Sequence, residues 1–121
     1  MKESIIMKHC MLALSDAGVL VFRNNVGQYQ TTEGRVIRYG VGNPGGSDLI
    51  CCVPVTITAD MVGKTVGVFA APEIKTSTGK LRKDQVTFQQ AVLNAGGIAG
   101  VARSPEEALE LISRLGRPPE K

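Results

Sequence analysis

A chain of 121 residues, 43% hydrophobic and 21% charged, is long enough to bury one core and has the balance of an ordinary globular protein. Its formal charge of +3 tolerates a polyanionic partner without announcing one. With no Trp, two Tyr and three Phe it has little material for an aromatic base-stacking platform, and no apolar run approaches the roughly 20 residues of a membrane span.

Residues 2–17 predict the first helix, because Ile6, Cys10, Ala13 and Ala17 recur at spacings of three and four, with Met7, Met11 and Leu14 widening the stripe. Glu3 continues that stripe and is therefore expected to turn inward. His9, the single histidine, falls between stripe positions, which predicts a surface or boundary place for it. One histidine excludes His-rich metal sites and leaves a Ser/His/Asp or Cys/His arrangement no spare partners.

Val19–Phe22 predicts a short strand ending at Arg23-Asn24-Asn25, and residues 28–39 a hairpin with its turn near Glu33-Gly34. A glycine-rich loop, Gly40 to Ser47, feeds a strand that opens on Asp48 and stops at Pro54. After a connection of uncertain form, residues 65–75 predict a second strand running into Glu73-Ile74-Lys75. Helix pattern returns over 82–95 with Gln85, Phe88, Val92 and Ala95, followed by a strand at Ile98–Ala102. Ser104-Pro105-Glu106-Glu107 is a strong helix start, with a capping serine, a first-turn proline and a capping-box glutamate. That helix carries Ala108, Leu111, Ile112 and Leu115. The order predicts a single α/β domain over 1–116, a small central mixed sheet flanked by helices, with 117–121 as a frayed tail.

Cys10, Cys51 and Cys52 are odd in number and two are adjacent, which fits neither a disulfide framework nor a zinc spacing. They read as buried free thiols of a reducing compartment, and the start of the chain has no signal-peptide pattern, so an intracellular, soluble protein is expected. Two motif matches fail on context. Gly40-Val41-Gly42-Asn43-Pro44-Gly45 has the spacing of a dinucleotide loop, but a strand follows where a helix must begin. Gly63-Lys64-Thr65 imitates the end of a P-loop but lacks the glycine five residues earlier, where Thr58 stands. No nucleotide cofactor is expected.

Chemistry concentrates on the two central strands. Side chains alternate along a strand, so Glu73 and Lys75 share a face while Ile74 points away. Asp48 and Glu73 offer hard oxygen ligands suited to Mg²⁺ or Mn²⁺, with the Ile74 carbonyl as an added ligand. Lys75 can neutralise charge growing on a phosphate. An isolated E-x-K is usually a surface pair; the Gly-rich loop before Asp48 and the turn and Gln85 helix after Lys75 favour a site.

Gly45-Gly46-Ser47-Asp48, Glu73-Ile74-Lys75, Gln85-x-x-Phe88 and Gly96-Gly97 with the strand that follows resemble the VRR-NUC family, the virus-type replication-repair nucleases of the PD-(D/E)xK superfamily. The resemblance spans nearly the whole chain and is closest to the stand-alone phage and bacterial members. It implies a restriction-endonuclease-like core in the cytoplasm of a bacterial cell or phage-infected host. It also implies Mg²⁺- or Mn²⁺-dependent hydrolysis of DNA phosphodiesters, with branched or Holliday-junction DNA favoured and a homodimer as the acting form. On this likeness Asp48 and Glu73 bind metal, Lys75 is catalytic and Gln85 supports the site. Glu3 matches a first-helix glutamate that reaches the metal region. Phosphate contacts are implied for Arg23 and Asn24, and would be shared by Arg35, Arg38, Lys80, Arg82 and Lys83. A non-catalytic nucleic-acid-binding or assembly module with the same fold is the other reading; an enzyme of small phosphorylated molecules lacks a phosphate-cradling loop at a helix start.

Overall fold

The computed structural model describes residues 2–113. The elements are α1 (Glu3–Asp16), β1 (Leu20–Arg23), β2 (Gly27–Gln30), β3 (Val36–Tyr39), β4 (Leu49–Cys52), a 3₁₀ turn (Ala59–Met61), β5 (Ala70–Ile74), α2 (Lys83–Asn94), β6 (Ile98–Ala102) and α3 (Pro105–Ile112). The α/β character and the three helices fit the pattern in the residues. Among the described residues the strands pair as three two-stranded sheets, β1 with β4, β2 with β3 and β5 with β6, in place of one central sheet. The chain divides into two compact units, Met1–Cys51 and Cys52–Lys121.

In the first unit α1 packs on β1. Its half-buried face is Met7, Met11 and Leu14, while Ile6, Cys10, Ala13 and Ala17 are exposed. The expected stripe is therefore rotated, since the long Met and Leu side chains bring far more apolar area to a neighbour than Ala or Cys does. Glu3 moves with it: it is exposed, not turned inward, and its place in the first turn suits the positive end of the helix dipole. His9 is exposed, as expected. The hairpin is antiparallel with Gln28 opposite Arg38 and Tyr29 opposite Ile37.

In the second unit β5 and β6 run parallel in the register Ala70↔Ile98 to Ile74↔Ala102, and α2 and α3 both pack on β6. Val92 of α2, Ala99 and Ala102 of β6, and Leu111 of α3 are buried and form the core. The small β6 alanines let both helices approach the strand closely. The strand expected over 65–75 is shorter than its composition suggests: regular pairing opens only at Ala70, because β6 offers a five-residue partner ladder and no more. α3 starts as its residues predict, with Pro105 in the first turn and the Glu107 N–H donating to Ser104 Oγ at 3.1 Å. The expected continuation to Leu115 and the tail at 117–121 lie outside the described residues.

All three cysteines are free. Cys10 is exposed, contrary to expectation, because the buried side of α1 is the Met7–Met11–Leu14 side; Cys51 is half-buried and Cys52 buried. Burial pushes the Cys52 thiol up, so it stays neutral and behaves as a small apolar side chain.

Leu111 is 2% exposed and its neighbour Ile112 is 49% exposed. Leu111→Ala should therefore cost about 2–5 kcal/mol in urea unfolding, whereas Ile112→Ala should cost less than about 1 kcal/mol.

Candidate active site

Glu73 lies inside β5 and Lys75 directly after it. Ala71, Glu73 and Lys75 are half-buried while Pro72 and Ile74 are exposed, so the acid and the ammonium share the inner face of the strand, as the alternation predicts. The Lys75 N–H donates to Ala102 O at 3.2 Å, and Phe69 O accepts from the Ile98 N–H at 2.9 Å. A residue's N–H and C=O point to the same side of a strand, and sides alternate along it. Residues 69, 71, 73 and 75 therefore turn their backbone groups to β6, and 70, 72 and 74 turn theirs away. The Ile74 carbonyl thus points to the edge of β5 that carries no ladder among the described residues, free to accept from or ligate another group. Pro72 falls on the same unpaired parity, where its missing N–H leaves no ladder bond unmade.

Gln85 ties α2 to this strand. Its Oε1 accepts from the Arg82 N–H at 3.0 Å, closing the first turn of the helix, and its Nε2 donates to Glu73 Oε1. The first bond settles the second: a flipped carboxamide would set an NH₂ group against a backbone N–H, so the donor end must face Glu73. Glu73 Oε1 is oriented by this donor and Oε2 is left for another partner. The two residues line a cleft of about 360 Å³ with Ala71, Pro72, Asp84, Phe88 and Gln89. Asp84 is held below the usual carboxylate range by the hydrogen bond from Arg82, whose Nε lies 3.1 Å from Asp84 Oδ1, and it is fully exposed. Gln89 Nε2 is buried with no hydrogen-bond partner.

A hard cation that keeps most of its waters needs only one or two carboxylates and a few neutral oxygens. Glu73 Oε2 and the Ile74 carbonyl, on a strand beside an open cleft, are of that chemistry. No group of three or more His, Cys, Asp or Glu side chains that could hold a metal gathers among the described residues. Glu73, Lys75 and Gln85 belong to the second unit, Asp48 and Glu3 to the first.

Asp48 stands exposed just ahead of β4, at the end of a loop built by Asn24. Asn24 Nδ2 donates to Val41 O and Ser47 O, each at 2.9 Å, and Asn24 Oδ1 accepts from the Val41 N–H at 2.9 Å. The Asn24 N–H donates to Asp48 O at 2.8 Å. Asn43 Nδ2 adds bonds to Gly27 O (2.6 Å) and Tyr39 O (2.8 Å). Only glycine fits at 46, since a Cβ there would lie 1.9 Å from Val41 O. The Asn24 carboxamide, expected to meet phosphate, is thus engaged in holding the loop that presents Asp48. The element that follows this loop is the strand β4, as the residues predict.

The cations expected to touch phosphate are all exposed: Arg23, Arg35 and Arg38 in the first unit, Lys80, Arg82 and Lys83 in the second. Arg82 is also paired with Asp84. Residues that sequence reasoning passed over are Asp84, Gln89 and Arg103. Gln89 had a readable signal, being one turn beyond Gln85 on the same helix face; Arg103 had only its place between a strand and a helix cap.

Replacing Gln85 by Glu would set two carboxylates together and raise the pKa of the pair. A raised folded-state pKa gives stability that is present below the unfolded carboxylate value and lost as pH rises. Gln85→Glu should thus be less stable than the native chain by about 1–3 kcal/mol at pH 7 and close to it near pH 4, as read from melting curves at both values. The chain matches no protein-family model, no curated protein and no solved structure.

Proposed function

We propose that this chain is a divalent-metal-dependent DNA endonuclease of the VRR-NUC type with a restriction-endonuclease-like core. It would hydrolyse phosphodiester bonds in branched DNA, Holliday junctions among them, and act as a homodimer. The observation that carries the reading is the Glu73 carboxylate, oriented by Gln85 beside an open cleft, with Lys75 on the same strand face.

Glu73 would offer Mg²⁺ or Mn²⁺ a carboxylate oxygen, with the Ile74 carbonyl as a neutral ligand; Asp48 and Glu3, of the first unit, are the further metal carboxylates that the VRR-NUC resemblance implies. When bound, the cation supplies a Lewis acid for a phosphoryl oxygen. Lys75 places a positive charge where the phosphate gains negative charge on attack by water, a contribution worth most when fixed before reaction. Gln85 keeps Glu73 from turning out of the cleft. The exposed arginines and lysines would meet phosphates rather than base edges, which favours DNA shape over sequence. A two-fold dimer would set two such sites on one four-way junction.

Cleavage of labelled junction, flap and linear duplex DNA with Mg²⁺ tests this. Junction cutting by the native chain is expected, lost on chelation and reduced about 100-fold or more in Asp48→Ala, Glu73→Ala and Lys75→Ala. Equal activity in native and variant proteins would refute the assignment. DNA binding indifferent to EDTA and to Glu73→Ala, without turnover under either metal, would assign a non-catalytic binding module instead. Light scattering should return a dimer at micromolar concentration, and a monomer would remove the junction-resolving form.

A further inference from the structure

Arg103 sits between β6 and the Ser104 cap of α3 and has no part in the chemistry proposed above. Its Nη1 donates to two backbone carbonyls, those of Thr76 and Gly79, the latter at 2.8 Å. Its own N–H donates to Glu107 Oε1 at 3.0 Å, which anchors the base of the side chain to the first turn of α3. The two carbonyls belong to the turn that follows Lys75 without a gap, closed by the Gly79 N–H donating to Thr76 O at 3.2 Å.

That turn lies along the Lys75 side chain. A Cβ on Gly79 would stand 3.4 Å from Lys75 Cβ and 3.5 Å from Lys75 Cδ, so the turn runs beside the lysine stem with room for no more than one added carbon between them. Lys75 and Gly79 are both half-buried. On its other flank Lys75 is tied to β6 by its N–H to Ala102 O. The backbone at the root of the lysine is thus fixed by β6, and the turn borders the side its stem runs along. The turn in turn has its two inward carbonyls fastened by one guanidinium nitrogen.

We propose that Arg103 is a positioning residue for Lys75: by clamping the Thr76–Gly79 turn it fixes the path of the lysine stem and the place of the ammonium. The inference rests on the reading of Lys75 as the phosphate-facing lysine. Two carbonyls need two hydrogens from one place, which Nη1 supplies; a glutamine is too short to reach both, and a lysine keeps the charge and donors without the rigid fork.

The test compares native chain, Arg103→Gln, Arg103→Lys and Gly79→Val, the last crowding the lysine stem from the turn side with Arg103 intact. Steady-state cleavage is measured with Mg²⁺, and the DNA-binding-competent fraction with Ca²⁺ in its place. Arg103→Gln and Gly79→Val should lower kcat about 10–100-fold, the scale of loss from misplacing a reacting group. KM and the binding-competent fraction should stay within about twofold of native, and Arg103→Lys should recover part of kcat. Native kcat in Arg103→Gln, or a loss matched by loss of the binding-competent fraction, would overturn the proposal. Should Arg103→Gln fail to fold, Gly79→Val and Arg103→Lys decide it, native kcat in both being the negative result. A native chain that never cleaves sinks the nuclease reading itself; an active native chain with an unaffected Arg103→Gln sinks only the clamp.

Discussion

The second unit depends on one carboxamide. Gln85 closes the first turn of α2 with its oxygen and orders Glu73 of β5 with its nitrogen, so the start of a helix and the orientation of the Glu73 carboxylate are set by the same group. Helix starts leave backbone N–H groups in want of acceptors, and a side chain that answers one of them has little freedom left. A serine or aspartate could cap the helix, but neither could reach back to the strand as well.

The same device recurs around the molecule. Asn24 holds the loop before Asp48 with three hydrogen bonds from one carboxamide, and Arg103 holds the turn after Lys75 with one guanidinium. Loops carry backbone groups that no ladder satisfies, and a polar side chain from a neighbouring regular element is the cheapest local remedy. Polar side chains thus hold the Glu73 carboxylate and the backbone beside Asp48 and Lys75, while among the described residues the buried apolar side chains are Val92, Ala99, Ala102 and Leu111 with Cys52.

Much of this was legible in the residues. The positions of the three helices, the hairpin, β6, the Ser104 cap and the shared face of Glu73 and Lys75 follow from periodicity and capping chemistry, which are local. Gln85 stood out as a polar residue at the head of an apolar face. What local pattern could not carry was the choice between faces of similar polarity. On α1 two stripes competed, and the one with the longer side chains won, which turned Glu3 and Cys10 to the outside. Residues 65–69 have strand composition but no ladder, because composition is a property of the residues and pairing a property of the partner. The roles of Asn24 and Arg103 depend on which carbonyls come within reach after folding, and no spacing rule encodes that.

Pro72 has a consequence for self-association. Among the described residues the outer side of β5 pairs with no strand, which is the usual invitation for a second chain to add one and begin an unintended assembly. At the middle of that side stands a residue with no hydrogen to donate, between Ala70 and Ile74, which do have one. An incoming strand would find a broken row of donors and an obstructing ring, so the sheet resists being prolonged by a copy of itself. The carbonyl of Ile74 stays open on this edge for a small ligand, while the edge as a whole is closed to a chain.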